Sequence, residues 1–380
     1  MLAAIALGAA PARAQPPAFA PALTPVPLVF PRDQGAHPDF RQEWWYVTGN
    51  VDTAGGQRLG FELTIFRFAL APGSHPHMPH ARSLPTPSAW RTHQLYLGHF
   101  AITDVARHRF RFAVKRARGA LGLAGAQAVP WRVWVGNWGM SQAESPPPAS
   151  GSPRTTADTV WHLQADQPGY VLSLTARPLL PPVPNGERGL SRKSGEPGNA
   201  TYYYSIPRVA ITGTIVRDGQ PLHVHGLAWL DREWGSGALG PQESGWQWFG
   251  LQLDDGSCLM FYALRDRDGA EDPFSAGTWV DPRGRARPLT RADVRIQVLG
   301  HWRDPAGILY PSRWRLSAAA LGLTLTVNPA LANQELVTSP RYWEGAVDIA
   351  GTRAGRPIQG AGYVELVGYG GASPGPGGNR

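Results

Sequence analysis

Short apolar runs alternate with turn-forming residues along most of the chain. The runs are rich in Val, Ile, Thr, Tyr, Phe and Trp, and Gly, Pro or Asp separates them, as in GFELTIFRF, VLSLTAR and LTLTVNP. Within a run, polar and apolar residues alternate with the period of two that is typical of a half-buried strand. Long segments with a helical period are few. The pattern therefore predicts an all-β protein made of antiparallel strands.

Four pairs of segments recur in the same order along the chain. WWYVTGNVDTAGGQRLGFELTIFR (44–67) resembles WQWFGLQLDDGSCLMFYALR (246–265), and the segments that begin at Trp161 and Trp314 share Trp, Leu, Ala and Gly. VAITGT (209–214) matches VDIAGT (347–352), and GLAWLD (226–231) matches GAGYVE (360–365). The preserved order predicts two homologous β domains, residues 30–239 and residues 240–371.

Each repeat is long enough for about eight or nine strands of ordinary length. A sheet of this size tends to close into a barrel, because closure removes its exposed edges. A small barrel either holds one apolar ligand or is filled by its own side chains. We therefore predict two tandem antiparallel β-barrels packed side by side.

The charge of the chain narrows the set of partners. The net charge is +8, from 36 Lys and Arg against 28 Asp and Glu. The basic residues are scattered and form no run of like charges, so nucleic-acid binding is not expected, while peripheral attraction to an anionic membrane stays open. The single Cys258 lies in the strand-like GSCLMFYAL, which favours a core residue over a nucleophile.

The two ends of the chain carry their own signals. The first residues, MLAAIALGAAPARAQ, form an apolar run followed by the A-x-A pattern Ala12-Arg13-Ala14. This pattern resembles the end of a secretory signal, so residues 1–14 are predicted to be a signal-peptide remnant and the protein to be periplasmic or secreted. The tail GGASPGPGGNR is rich in Gly and Pro, and residues 372–380 are expected to be disordered.

The stretch HGLAWLDREWG, residues 225–235, places several reactive side chains on one predicted strand. Alternation puts His225, Trp229 and Asp231 on the same face. His225 and Asp231 are six residues apart, which is roughly 20 Å along a strand, so they cannot form a direct dyad. Partners for Asp231 must come from elsewhere, and Glu43, Tyr203 and the second domain are the candidates.

A set of motifs carries a family resemblance from about Pro31 to Tyr369. FPRDQGAHPDFRQEWWYVTGN, GLSRKSGEPGNATYYYS, HGLAWLDREWGS, QELVTSPRYWEGAV and GAGYVELVGY together resemble the carotenoid hydratase (hydroxyneurosporene synthase) and AttH-like family. The resemblance implies tandem lipocalin-like barrels with a cleft lined by both, and many bacterial members are exported. It also implies hydration of isolated alkenes among the relatives. One departure is visible: Gln247 in GWQWF stands where the family pattern leads us to expect Asp.

Hydration of an unactivated alkene needs a proton delivered to carbon, which a buried and therefore protonated carboxylic acid can supply. Aromatic faces stabilise the resulting cation. The predicted catalytic residues are Asp231, His225, Tyr203 and Glu43, and the predicted substrate-binding residues are Trp44, Trp45, Tyr46, Trp229, Trp234, Trp246 and Trp248. Structural roles compete with both sets, because Glu365 occupies the place of Asp231 in the second repeat and the Glu43–Tyr46 stretch can plug a barrel base.

Two functions stay open at this point. The first is a cofactor-independent hydro-lyase that adds water to a C=C bond of an apolar terpenoid or lipid-like molecule bound at the interdomain cleft. The second is a non-catalytic periplasmic carrier or chaperone of such a molecule. No metal and no cofactor is expected in either case, although the spacing of His75, His77 and His80 in SHPHMPH would permit two imidazoles on one ion.

Overall fold

A computed structural model describes residues 18–72, 90–143, 159–237, 239–240 and 242–370. The predicted leader, the SHPHMPH segment and the predicted disordered tail lie outside these residues, so those statements stay predictions. Among the described residues, no helix is long and apolar enough to span a membrane. The only helices described are two short 3-10 turns, Arg32–Gln34 and Ala319–Leu321, and the predicted all-β class is confirmed.

The first sheet has thirteen strands, all antiparallel to their neighbours. They are β1 (Gln42–Thr53), β2 (Arg58–Ala69), β3 (Gln94–Asp104), β4 (Arg109–Arg118), β5 (Ala124–Ala128), β6 (Trp131–Val135), β7 (Trp138–Gln142), β8 (Trp161–Gln167), β9 (Tyr170–Pro178), β10 (Val183–Pro184), β11 (Leu190–Arg192), β12 (Ala200–Arg217) and β13 (Gln220–Gly235). Their order is β4-β3-β2-β1-β13-β12-β9-β8-β7-β6-β5, with β10 and β11 paired to β12. Lys115 on β4 reaches Asp166 on β8 at 3.2 Å, so side chains help to close this near-complete barrel.

The second sheet has ten strands and forms a half-barrel. They are β14 (Glu243–Leu253), β15 (Cys258–Asp266), β16 (Ala276–Val280), β17 (Ala286–Thr290), β18 (Arg295–Arg303), β19 (Leu309–Ala318), β20 (Leu323–Pro329), β21 (Glu335–Leu336), β22 (Tyr342–Arg353) and β23 (Arg356–Val367). Their order is β17-β16-β15-β14-β23-β22-β20-β19-β18, with β21 paired to β22.

The two strand orders are equivalent, which explains the sequence repeat. In both sheets the first strand pairs with the last, β1 with β13 and β14 with β23. Tyr46 lies opposite Asp231 in the first pair, and Trp248 lies opposite Glu365 in the second. The segments GLAWLD and GAGYVE, which match in sequence, therefore also occupy the same strand position and the same pairing register in their two sheets. The predicted domain boundaries themselves stay a prediction.

Alternation along each strand separates a barrel core from an outer face. On β13, Val224, Ala228 and Leu230 are buried in the core of the first sheet, whereas Trp229 and Asp231 point to the other side. On β14, Phe249 and Leu251 lie in the core of the second sheet and Trp248 faces outward. Because the outward residues are also buried, the two sheets must cover each other's outer faces.

One end of the first barrel is closed by a buried ion cluster. Glu43 accepts hydrogen bonds from both Arg67 and Arg232, and the Arg232 guanidinium lies 3.9 Å from the Trp45 ring centroid. His37 stacks on Trp234 with ring centroids 4.0 Å apart. Burial alone would raise the pKa of Glu43, but the charge of Arg232 and the bond from His37 hold it well below its usual range. This arrangement matches the structural alternative, an aromatic and ionic plug at the barrel base.

Candidate functional site

The two sheets meet along a buried contact that we call the seam, formed by the outer faces of β1, β2, β12 and β13 against β14, β15, β22 and β23. Hydrogen bonds cross the seam between the two sheets. Asn50 Nδ2 of the first sheet donates to the Gly362 carbonyl of the second at 3.0 Å. Gln252 Nε2 donates to the carbonyls of Pro207 and Ala228, both at 2.8 Å. The seam is therefore a specific interface with its own polar network and aromatic cluster.

Asp231 lies in the middle of the seam, where three donors converge on its carboxyl group. Tyr203 Oη donates to Oδ2 at 2.5 Å, while Ser205 Oγ and Trp229 Nε1 donate to Oδ1 at 2.5 and 2.7 Å. Burial raises the pKa of Asp231 to about 7, even though these three bonds favour the charged form. A carboxyl group in this state both gives and takes a proton near neutral pH.

Aromatic rings surround this acid from both sheets. Trp248 Nε1 donates to Tyr203 Oη at 3.0 Å, so the second sheet fixes the hydroxyl that contacts Asp231. Trp248 meets Trp229 edge to face with centroids 5.9 Å apart, and it meets Tyr46 in the same way at 5.4 Å. The predicted site residues Asp231, Tyr203, Tyr46, Trp229 and Trp248 are thus brought together.

A single ammonium group lies beside this cluster. Lys193 Nζ is 3.0 Å from Glu233 Oε1 and 4.3 Å from the centroid of the Tyr262 ring. Burial would lower the pKa of Lys193, but the negative charge of Glu233 raises it, so the group stays charged. This ion pair leaves Asp231, two residues before Glu233, without a cation of its own.

Two more carboxyl groups are buried in the seam, those of Glu62 and Glu344, and a third, that of Glu365, is half-buried there. Tyr342 Oη donates to Glu62 Oε1 at 2.8 Å, Tyr46 Oη donates to Glu344 Oε1 at 2.9 Å, and Trp246 Nε1 donates to Glu365 Oε2 at 2.6 Å. Burial raises the pKa of Glu62 to about 7 and that of Glu365 to about 8. Burial, followed by the charges of Glu62 and Glu365, raises the pKa of Glu344 well above its usual range.

The structure places the other predicted site residues away from Asp231. His225 is exposed and lies opposite Asp52 on β1. Glu43, Trp45 and Trp234 belong to the plug at the barrel base, so this geometry gives them a structural role. The remaining two aromatics, Trp44 and Trp246, are half-buried at the border of the seam cluster.

Gln247, the departure from the family pattern, does not reach the seam. Its Oε1 accepts a hydrogen bond at 2.9 Å from Nε1 of Trp314, which is buried in the core of the second sheet. In the repeat, residue 247 corresponds to Trp45, which also faces a barrel interior. The substitution therefore leaves the Asp231 cluster intact.

Sequence reasoning missed several members of the cluster: Ser205, Glu62, Glu344, Tyr342, Tyr363 and Lys193. One signal was available, because Glu62 and Thr64 are polar positions that alternate with the apolar residues Phe61, Leu63 and Ile65. Alternation places both on the face opposite the barrel core. In a single barrel, a polar pair on the outer face of a strand is expected to be exposed to solvent. In this protein the second sheet covers that face, so the pair becomes buried.

The fold and the site define a class: a double-sheet, lipocalin-like protein with an acidic, aromatic seam between its sheets. The family model described as AttH-like matches residues 21–369. The chain belongs to this family.

Two fungal relatives resemble parts of the chain. A dehydratase, asqC, of Emericella nidulans is 23% identical over 220 residues, which is 55% of this chain and 61% of the relative. Kievitone hydratase of Fusarium solani subsp. phaseoli is 25% identical over 174 residues, 44% of this chain and 49% of the relative. The matches thus span about half to three fifths of the length of these curated relatives.

Solved structures resemble the whole fold. An AttH protein of Nitrosomonas europaea is 33% identical with a TM-score of 0.76, covering 92% of this chain and 100% of its own. Kievitone hydratase of Nectria haematococca has a TM-score of 0.64 at 16% identity, covering 93% and 98% of the two chains. The second likeness concerns the fold, and it confirms the predicted tandem lipocalin-like architecture, in which the first barrel is nearly closed and the second is a half-barrel.

Proposed function

We propose that the protein adds water to, or removes water from, a carbon–carbon double bond of an apolar small molecule, with Asp231 as the acid. The observation that carries this proposal is a buried carboxyl group that accepts three hydrogen bonds inside an aromatic cluster, where burial raises its pKa. Both fungal relatives bear the names of enzymes that add or remove water, which agrees with the proposal without fixing the substrate.

The chemistry follows from the surroundings of Asp231. Its protonated form delivers a proton to an alkene carbon, and the adjacent carbon becomes a cation. The ring faces of Trp229, Trp248 and Tyr46 stabilise that cation, because each presents a negative quadrupole. Tyr203 and Ser205 then stabilise the carboxylate that is left behind. The reverse sequence removes water from an alcohol.

The substrate that suits this seam is an isoprenoid or another lipid-like molecule with an isolated double bond. Aromatic rings surround Asp231, and the nearby Lys193 charge is neutralised by Glu233. A strongly anionic substrate would be repelled by the carboxyl groups of the seam, which belong to Asp231, Glu62, Glu344 and Glu365. We therefore propose a neutral, largely apolar substrate.

The test is turnover in H2¹⁸O with a panel of acyclic carotenoids and prenylated phenols, read by mass spectrometry as incorporated ¹⁸O. We expect one class to be hydrated, and Asp231→Asn to lower kcat at least about 100-fold, the usual contribution of a general acid. Asp218→Asn is the control, since Asp218 is half-exposed and pairs with Arg107 outside the seam.

Two outcomes would change the conclusion. Unaltered turnover in Asp231→Asn would remove Asp231 as the acid. Tight binding of a panel compound by the wild-type protein, with no product in either direction, would leave the carrier function in place of the enzyme.

A further inference from the structure

Two glutamates of the seam are held in a reciprocal way by tyrosines of the opposite sheet. Glu62 belongs to β2 and accepts from Tyr342 of β22, whereas Glu344 belongs to β22 and accepts from Tyr46 of β1. Both bonds use the Oε1 atom. Tyr342 and Glu344 are two residues apart on the same face of one strand, so the two carboxyl groups lie close together across the seam.

The remaining oxygens of this pair have no partner among the described residues. Glu62 Oε2 and Glu344 Oε2 are buried and accept no hydrogen bond. Within the described part of the chain, the buried Thr48 hydroxyl has no partner within hydrogen-bond geometry, and its only interaction is with the neighbouring Tyr46 hydroxyl, whose pKa it lowers. Thr48 lies directly opposite Glu62 on β1 and is 1% exposed. Buried polar atoms are nearly always satisfied, since an unsatisfied one costs a desolvation penalty. Three such atoms on adjacent positions point to a ligand that satisfies them.

The charges restrict what that ligand is. Burial and the charge of Glu62 favour a protonated Glu344, whereas Glu62 ionises near neutral pH. One carboxylate acceptor, one carboxylic acid donor and one hydroxyl therefore lie on neighbouring positions of the seam. An anion would be repelled by the carboxylate, and an apolar group would leave all three oxygens unpaired. A neutral oxygen that both donates and accepts, as in water or an alcohol, fits the set.

We propose that Glu62, Glu344 and Thr48 form the water-handling site of the reaction, which binds the water that is added or the hydroxyl group that leaves. This inference rests on the proposed function and adds the group that handles water to the acid that handles the proton. Tyr46 joins the two halves, because it lies opposite Asp231 on the neighbouring strand while its hydroxyl contacts Glu344. The acid and the water site thus lie one tyrosine side chain apart on the same seam.

The proton balance of the step closes without a further reactant. Asp231 gives its proton to one alkene carbon, and a C–H bond forms. The oxygen of the bound water forms the C–O bond at the other carbon, and one water proton passes to Glu62 Oε2. Asp231 is then ionised and Glu62 protonated. Solvent carries one proton back to Asp231 before the next turnover, and nothing is oxidised or reduced.

Turnover of Glu62→Gln, Glu344→Gln and Thr48→Val tests this assignment. We expect Glu62→Gln to lower kcat at least about 100-fold with KM changed less than about 3-fold, because a base acts on the transition state and not on substrate binding. Wild-type kcat should rise and then fall around pH 7, and Glu62→Gln should keep only the falling limb that belongs to Asp231. Glu335→Gln is the matched control, since this buried glutamate also accepts from a tyrosine, Tyr310 at 2.7 Å, but lies outside the site.

The outcomes separate this inference from the proposed function. If Asp231→Asn abolishes turnover while the three site variants stay within about 2-fold of wild type, the water site is wrong and the function stands. A crystal structure gives a readout that needs no substrate: we expect an ordered water bonded to Oε2 of Glu62 and Glu344, absent in Glu344→Gln or moved in Thr48→Val. Direct contact of the two Oε2 atoms, with no solvent between them, would overturn the inference even for an active enzyme.

Discussion

Replacing Asp231 by Asn should change how the stability of the fold depends on pH. The pKa of Asp231 is about 7 in the folded protein, against an ordinary value of 3.8. At about 1.4 kcal/mol for each pKa unit, ionising this group in place costs about 4 kcal/mol. Because the folded pKa is raised, the folded state binds the proton more tightly, and stability is lost as pH rises from about 4 through 7.

Asn is the neutral isostere of the protonated acid, so the variant escapes this loss. With its amide oxygen in place of Oδ1, its amide nitrogen replaces Oδ2 and cannot accept from Tyr203, which costs about 1 kcal/mol. Relative to wild type, Asp231→Asn should therefore gain about 4 kcal/mol of unfolding free energy between pH 4 and pH 8. The other seam carboxyls titrate in both proteins and largely cancel in the difference.

The measurement is urea unfolding at several pH values between 4 and 9, followed by tryptophan fluorescence. Asp218→Asn serves as the control, because its carboxylate is half-exposed and pairs with Arg107 outside the seam. A difference between Asp231→Asn and wild type that stays constant to within about 1 kcal/mol across this range would refute the reasoning. It would mean that the carboxyl group is solvated or paired in the folded state.

Two further predictions concern the neighbours of this acid and the barrel plug. Tyr203→Phe removes a donor to Asp231, so it should raise the pKa of that carboxyl and move the falling limb of the kcat–pH profile to higher pH; a limb that stays in place would show that the bond does not form in the working enzyme. Glu43→Gln leaves Arg67 and Arg232 buried without their anion and should cost about 3 to 5 kcal/mol in unfolding free energy, and a loss under about 1 kcal/mol in urea titrations would contradict the plug.

The fold could be predicted from the sequence because each of its determinants is local or periodic. Alternation shows which residues of β13 face the core, and Leu230 and Asp231 do lie on opposite faces. The four repeated segments establish two sheets of equivalent strand order. The plug was foreseen as the structural alternative for the Glu43–Tyr46 stretch, since Glu43 and Trp45 had to share a face.

The site was only half predictable, because the two sheets create it together. Asp231, Tyr203 and Trp248 come from three strands, and their convergence depends on how one sheet packs on the other. The spacing of residues along a strand can exclude a contact between two side chains, as it does for His225 and Asp231. It cannot show which residues of other strands are in contact. Glu62 and Glu344 belong to different sheets and are 282 positions apart, so no pattern along the chain connects them.

The repeat also explains why equivalent carboxyl groups can have different roles. Asp231 and Glu365 occupy the same register position, opposite Tyr46 and Trp248. Asp231 has three donors that stabilise its anion, whereas Glu365 has one, from the half-buried Trp246. Burial raises both pKa values, that of Asp231 from 3.8 to about 7 and that of Glu365 from 4.5 to about 8. A carboxyl group that cycles between its two forms near neutral pH needs a stabilised anion, and only the first repeat provides it. The shared position thus reflects common ancestry of the sheets, and under the proposed function the added donors Tyr203 and Ser205 suit one copy for proton transfer.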